Sequence, residues 1–194
     1  MTKEFEAEDR EKIMIEIVDY RESWPAEYRA FAASQRGMPG IAAIHHIGST
    51  SVPGLCAKDI IDIQITVTDL DADLPIEEAG FVPGKPGSDH CPPGVTLEAD
   101  QLHKRFYKFA QRPANVHVRQ QGRFNQRYPL LCRDYLRSHP NAANAYGEIK
   151  RQLARHFVDD FEKYYDVKDP VFDLLMAGAE DWAAMTSWSL PPSD

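Results

Sequence analysis

The chain has 194 residues, a formal net charge of −8 and 43% hydrophobic residues, which is enough apolar material for the core of one domain. The acidic balance excludes a general nucleic-acid binder, because such proteins carry a clustered basic face. No run reaches the roughly 18 apolar residues that span a bilayer, and the polar, acidic amino-terminal residues exclude a secretory signal. We therefore expect a cytoplasmic protein that uses neither a membrane nor bulk nucleic acid as its partner.

The predicted elements of the first part of the chain form a mixed sheet. β-Branched and alternating apolar residues predict strands at residues 13–18, 41–47, 61–67, 102–109 and 115–119. A helix is predicted from Trp24 toward Arg36, since the proline that follows Trp24 is tolerated in a first turn. A short helical piece is predicted at residues 75–79. Residues 82–95 hold four prolines and three glycines, a composition that predicts a loop.

The carboxy-terminal part of the chain is predicted to be helical. From about residue 125 onward, apolar side chains recur at the three- and four-residue spacing of a buried helix face. Residues 190–194 are predicted to be disordered. We therefore expect an α/β protein of the α+β type: a single domain with a sheet core over about residues 13–120 and helices over about 125–186.

A glycine–hydroxyl turn follows the strand at residues 41–47. Gly48 can adopt backbone conformations closed to other residues and lets a ligand approach the main chain. Ser49 and Thr50 add hydroxyl groups beside backbone N–H groups that a short helix start leaves unpaired, an arrangement that suits a phosphate. The alternative is a helix cap without a ligand. Lys58, ten residues further on, either neutralises that phosphate or is simply exposed.

Two strands place polar side chains on a common face. In residues 61–67 the isoleucines alternate with Asp62 and Gln64, so one face is buried and the other is polar. A buried carboxylate without a partner is costly, which favours a functional role for Asp62. His117 alternates with Val116 and Val118 and is either a general acid or base or a structural histidine.

Two arginines are candidate phosphate ligands. Arg105 shares its strand parity with His103 and Tyr107, and this polar set favours Arg105 as the cation that faces the cleft. Arg133 has a planar guanidinium suited to bidentate phosphate contact, but an ion pair with Asp134 that fixes the helix is an equal alternative.

Several of these motifs resemble those of the GrpB family, also called UPF0157, which is assigned to the nucleotidyltransferase fold. The resemblance rests on residues 46–54 (HIGSTSVPG), 57–63 (AKDIIDI), 116–118 (VHV) and 133–137 (RDYLR) with Pro140, and on Tyr146 with Lys150. It implies a mixed β-sheet flanked by helices, with a helical carboxy-terminal part.

The resemblance also implies a chemistry. Active nucleotidyltransferases hold a triphosphate at a Gly-Ser turn and bind two divalent metal ions through three carboxylates. Here Asp62 takes the first carboxylate position and would bind Mg²⁺ or Mn²⁺, whereas Gln64 and His117 stand where further carboxylates are expected. Two hypotheses remain: a protein that binds a nucleotide or phosphorylated small molecule and transfers a nucleotidyl group, or a non-catalytic binding module that has lost its metal ligands. The oligomeric state stays open.

Overall fold

The computed structural model describes residues 14–74, 80–85, 87–109 and 112–194. Within these residues the chain forms six strands and four α-helices. In chain order the elements are α1 (Trp24–Gln35), β1 (Ile41–Ile47), β2 (Ile61–Val67), β3 (Phe81–Pro83), β4 (Gly87–Ser88), β5 (His103–Phe109), β6 (Ala114–Gln120), α2 (Phe124–Ser138), α3 (Pro140–His156) and α4 (Phe161–Thr186).

The strands form one mixed sheet in the order β1-β2-β6-β5-β3, with β4 paired to β5. The central pair β2 and β6 is parallel, and the other pairs are antiparallel. The expected α/β class with a mixed sheet and a helical carboxy-terminal part is therefore confirmed. The parallel pair lies in the middle of the sheet because both strands bury apolar residues on one face: Ile61, Ile63, Val116 and Val118 are almost fully buried.

The two faces of the sheet are covered by different helices. Helix α1 packs Trp24 and Tyr28 against the apolar face, in a cluster that includes Ile63 and Val116. Helices α2, α3 and α4 form a second cluster around Leu131, Tyr146 and other buried side chains, and α2 contacts β1 and β6 from the opposite side. The polar face of the sheet therefore lies toward the helices of the carboxy-terminal part.

The strand predicted at residues 13–18 is wrong for the residues described. Val18 forms an isolated bridge with Ala57, and Ile15 donates its backbone N–H to Val158 O at 2.7 Å. Ile15 is buried beside Leu153 and Tyr164 of the helical part. The apolar pattern of this segment thus reflects packing on helices rather than sheet pairing.

The predicted loop at residues 82–95 contains the end of β3 and the two-residue β4. Both strands pair with β5 at the border of the sheet, where proline is tolerated because one side of the strand needs no ladder hydrogen bond. The helical piece predicted at residues 75–79 lies outside the described residues. Among the described helices, none combines the length and the apolar character that a bilayer crossing needs.

The disorder predicted for residues 190–194 is wrong. Asp194 donates its backbone N–H to Ile44 O at 3.1 Å, and Ser193 Oγ accepts the Ile44 N–H at 3.0 Å. The Asp194 carboxylate accepts the backbone N–H of His46 at 2.9 Å. Strand β1 lies at the edge of the sheet, and the tail satisfies backbone groups that this edge would otherwise expose.

Candidate functional site

A cleft of about 620 Å³ lies between the polar face of the sheet and helices α2, α3 and α4. We call it the central cleft. Seven of the eight predicted site residues line it: Gly48, Ser49, Thr50, Lys58, Asp62, His117 and Arg133. The turn after β1 and the polar rows of β2 and β6 therefore meet around one space.

The placement expected for Arg105 is wrong. Arg105 pairs with Val118 across β5 and β6, on the apolar face of the sheet, and its Nη2 donates to Ala72 O at 2.7 Å. Tyr107, which points to the same face of β5 as Arg105, belongs to the hydrophobic core. Its hydroxyl group therefore does not mark this face as polar. The residue beside it, Lys104, faces the central cleft instead, because successive strand residues point to opposite faces.

Gly48 is required by the close approach of Asp62. Its φ of +69° lies in the left-handed region that glycine tolerates. A Cβ atom at this position would lie 2.9 Å from the Asp62 Cβ and would overlap the carboxylate. Ser51 Oγ closes the turn by donating to Gly48 O at 2.6 Å. The glycine thus lets the turn sit directly against the start of β2.

The two hydroxyl groups predicted to bind phosphate have different surroundings. Thr50 is 1% exposed, and its Oγ1 lies 3.0 Å from His46 Nε2, a ring that stacks on Tyr28. Burial lowers the pKa of His46 to about 4, so this ring is neutral at neutral pH. The Thr50 hydroxyl is therefore paired within the fold, but with a histidine ring and not as the helix cap that was the alternative to phosphate binding. Ser49 Oγ instead accepts a hydrogen bond from Lys150.

Lys150 lines the central cleft but is not among the site residues predicted from the sequence. It is 2% exposed, and its Nζ donates to Ser49 Oγ at 2.8 Å and to Cys56 O at 2.5 Å. The described residues place no carboxylate within ion-pair distance of it, and burial lowers the pKa of its ammonium group to about 7. The available signal was its position on the apolar stripe of α3, one turn after the buried Tyr146.

Asp62 and His117 lie side by side above the turn. Asp62 Oδ1 accepts from Asn115 Nδ2 at 2.9 Å and lies 3.9 Å from His117 Nε2. Burial opposes ionisation of Asp62, but His117, Asn115 and Lys58 hold its pKa below the ordinary value. Burial also lowers the pKa of His117. The pair therefore presents a carboxylate beside an imidazole, which can orient a ligand hydroxyl or accept its proton.

The donor set around Asp62 does not match the two-metal pattern that the resemblance implies. Gln64 is completely buried: its Oε1 accepts from Arg119 Nη1 at 2.8 Å, and its Nε2 donates to Gln126 O at 2.9 Å. A guanidinium therefore stands where a second metal ion would need an anionic ligand. Across the part of the chain that is described, no group of three or more His, Cys, Asp or Glu side chains could hold a metal ion.

The remaining cations of the cleft differ in their partners. Arg133 is 3% exposed and donates to Asp134 at 2.8 Å, to Asp194 at 2.9 Å and to His46 O at 3.0 Å, so it makes the ion pair that was the alternative to phosphate contact. Lys58 donates to the Tyr165 hydroxyl at 2.5 Å and lies over its ring. Counting described residues alone, seven lysine and arginine residues and three aspartates line the cleft of a protein with a net charge of −8.

Comparisons with known proteins agree with these motifs. A family model described as GrpB protein matches residues 14–177. The chain is 34% identical to UPF0157 protein YqkA of Bacillus subtilis, covering 88% of this chain and 49% of that protein. It is 34% identical to UPF0157 protein BH1888 of Halalkalibacterium halodurans, covering 85% and 82%. It is 32% identical to a dephospho-CoA kinase of Mycolicibacterium paratuberculosis, covering 90% and 48%.

The solved structures include a similar chain. The crystal structure of GrpB from Enterococcus faecalis superimposes with a TM-score of 0.67 at 27% identity, covering 86% of this chain and 99% of that chain. Our chain spans about half the length of YqkA and of the mycobacterial kinase, and most of BH1888.

Proposed function

The chain belongs to the GrpB family, and we propose that its central cleft binds the phosphate groups of a nucleotide or of another phosphorylated small molecule. The proposal rests on the surroundings of the buried Lys150 ammonium group. A buried ammonium group is costly unless an anion faces it. Among the described residues, Lys150 contacts the Ser49 hydroxyl, the Cys56 carbonyl oxygen and the face of the Tyr146 ring, but no carboxylate. A phosphate oxygen beside Ser49 would supply the missing negative charge.

The charge distribution supports the same ligand class. The protein as a whole is acidic, yet the described part of the chain lines the cleft with more than twice as many cationic side chains as carboxylates. A concentration of positive charge within a concave, partly apolar wall attracts anions and strengthens their binding. Some relatives carry the name dephospho-CoA kinase, which is consistent with a nucleotide-related ligand for those proteins.

The partners of Gln64 favour binding without metal-dependent nucleotidyl transfer. With Arg119 held against Gln64, the cleft offers Asp62 as the one carboxylate of β2 that faces it, and a single carboxylate is a weak Mg²⁺ site. We therefore expect the ligand's charge to be neutralised mainly by lysine side chains. Of the two hypotheses, the binding module is the one that these contacts support.

The experiment is a thermal-shift and calorimetry panel with ATP, CTP, GTP, UTP and dephospho-CoA. Each ligand is added with Mg²⁺, with Mn²⁺ or with EDTA. A ligand at 100 times its Kd should stabilise the fold by about 2.7 kcal/mol, and we expect this shift to persist in EDTA. Absence of any shift at millimolar ligand would contradict the proposal.

A second measurement separates binding from turnover. Pyrophosphate release is followed for each nucleotide with Mg²⁺ or Mn²⁺. Binding without release is the expected result. Release that EDTA abolishes would instead support the nucleotidyl-transfer hypothesis and would overturn our interpretation of Gln64.

A further inference from the structure

We propose that Asp89 occupies a second anion subsite of the central cleft, built by Lys104, Arg119 and Asn125, and that an anionic group of the bound ligand displaces it. This inference rests on the proposed phosphate-binding function and extends it. The ligand would carry two anionic groups, one at Lys150 and one at this subsite.

The hydrogen bonds of the Asp89 carboxylate resemble those that a protein makes to a bound anion. Lys104 Nζ donates to Oδ1 at 2.5 Å, and Arg119 donates to both carboxylate oxygens at 2.8 and 3.1 Å. Asn125 Nδ2 donates to Oδ2 at 3.1 Å. These donors come from β5, β6 and α2, and a bidentate guanidinium with an added lysine suits a phosphate as well as a carboxylate.

The subsite is built into the fold rather than lying on its surface. The Arg119 side chain is 6% exposed and Asn125 is 2% exposed, whereas 18% of the Asp89 side chain is exposed. Burial opposes ionisation of Asp89, but Arg119 and Lys104 hold its pKa far below the usual range. If Asp89 left, the Gln64 amide would be the one hydrogen-bond partner that the described residues still offer to the buried guanidinium, so another anion would have to replace the carboxylate.

Asn125 supplies a second, independent observation. Its Nδ2 donates to two acceptors, the Asp89 carboxylate and His103 O, so the orientation of the amide follows from its partners. Its Oδ1 is buried and has no hydrogen-bond partner among the described residues. Buried acceptors are normally paired. A hydroxyl or amine next to the ligand's anionic group, as in a sugar phosphate, would satisfy this oxygen.

Apart from the hydrogen bonds of Asp89 itself, which include its backbone N–H to Leu102 O at 2.8 Å, the segment around Asp89 has few contacts with the rest of the protein. The preceding β4 is two exposed residues paired with β5, and the His90 ring lies 3.0 Å from the Asp173 carboxylate at the surface. Segments with short ladders and exposed hydrogen bonds open at low free-energy cost. A ligand anion that takes over the donors of Asp89 can therefore release the segment with the loss of only the short β4 pairing.

The two subsites are separated along β6. Asn115 lies beside Asp62, next to the turn that carries Ser49, and Arg119 is four residues further along the same strand. Four residues of strand correspond to about 13 Å of backbone. The donor atoms of the two subsites can lie closer together than this, because lysine and arginine side chains are long. A single phosphate would reach one subsite, whereas an extended polyphosphate would reach both.

The test compares Asp89→Asn with Asp169→Asn as a matched control. Asp169 also lines the cleft and lies 2.9 Å from the Lys168 Nζ, so both variants remove one negative charge from the same space. We expect Asp89→Asn to lower the Kd for ATP about tenfold more than Asp169→Asn does, because it removes a competing internal anion. AMP, with one phosphate, should show no such difference.

Lys104→Met provides a second variant. In the wild type Lys104 is engaged by Asp89, so its loss should weaken ATP binding only slightly. In the Asp89→Asn background the same change should remove most of the gained affinity. Equal effects of Lys104→Met in both backgrounds would overturn the inference.

Hydrogen exchange of the wild-type protein needs no variant and covers the case in which Asp89→Asn folds poorly. ATP should increase the exchange of amides in residues 87–95, whereas a loop that merely closes over the ligand would become protected. If the wild type binds ATP but Asp89→Asn behaves like Asp169→Asn, only the subsite is disproved. If neither protein binds any probe, the proposed function fails as well.

Discussion

Lys150 Nζ lies 2.8 Å from Ser49 Oγ, which joins helix α3 to the turn after β1 across 101 residues of chain. The contact places a buried cation beside the glycine–hydroxyl turn that the sequence marks as a phosphate site. It also explains why Ser49 differs from Thr50, whose hydroxyl is already paired with His46.

We expect Lys150→Met to weaken binding of the best nucleotide by at least tenfold, because hydrogen bonds to charged groups contribute about 1.5–3 kcal/mol. The methionine keeps the length of the side chain and removes its charge. Lys108→Met is the control, since Lys108 is exposed on β5 and does not line the cleft. Calorimetry would measure the nucleotide affinity of both variants. Equal affinities would show that Lys150 does not contribute to ligand binding.

Ligand binding should depend on pH through the same lysine. In the free protein burial lowers the pKa of Lys150 from 10.5 to about 7, and a bound phosphate would raise it again. Binding above pH 7 therefore takes up a proton, and affinity should rise as pH falls toward 7, by up to about tenfold per pH unit. Below that pH the lysine is already charged and its contribution should level off.

Calorimetry in buffers of different ionisation enthalpy would measure this proton uptake. The Lys150→Met variant should lose it, and proton uptake that persists in the variant would assign it to another group. The stability of the free protein should also depend on pH through Lys150. Between about pH 7 and 10.5 the lysine is protonated in the unfolded chain but neutral in the folded protein. The contribution of Lys150 to the free energy of unfolding therefore increases with pH in that window.

Gly48→Ala should be more damaging than Gly37→Ala. Both glycines have positive φ, at +69° and +79°, so an alanine is strained at either place. A Cβ at Gly37 meets open space, whereas one at Gly48 meets Asp62. We expect a loss of about 1–2 kcal/mol at Gly37 from backbone strain and a larger loss at Gly48. Urea unfolding would measure the loss of stability in both variants. Equal losses would show that Asp62 moves away from the added Cβ atom without a cost in stability.

Truncation after Leu190 should lower stability by about 2–3 kcal/mol, because several hydrogen bonds to the edge of β1 are lost. The freed backbone of Ile44 and His46 should also promote association through this edge. Asp194→Asn keeps an oxygen that can accept from His46 and removes the charge beside Arg133, so its loss should be smaller. Thermal unfolding and sedimentation would test this, and a truncated protein that matches the full chain in both would contradict it.

Much of the fold could be predicted because it depends on patterns of residues that are close together in sequence. The alternation of isoleucines with Asp62 and Gln64 has the two-residue period of a half-polar strand, and β2 has that strand's bounds. The helical stripes after residue 125 correspond to α2, α3 and α4 in the same way. Arg105 was assigned to the wrong face because both faces of β5 carry polar and aromatic residues, so the local pattern is ambiguous there.

The candidate site was predictable in part. Gly48 and Asp62 carry signals within a few residues of themselves: a glycine before hydroxyl residues, and a carboxylate in an apolar strand. Lys150 carries only a weaker signal, its position on the apolar stripe of α3 one turn after Tyr146, and Asp89 carries none. A lysine on a helix and an aspartate in a proline-rich loop look solvated in isolation, and their partners are distant in sequence.

By itself, the sequence determined the family, the periodicity of the strands and helices, and the turn at Gly48, since each depends on neighbours a few residues apart. Only the tertiary structure decided which cations lose water, which carboxylate each one meets and which side chains share the central cleft. Burial and pairing are properties of groups brought together from distant parts of the chain, and they set both the charge of Lys150 and the anion held by Arg119.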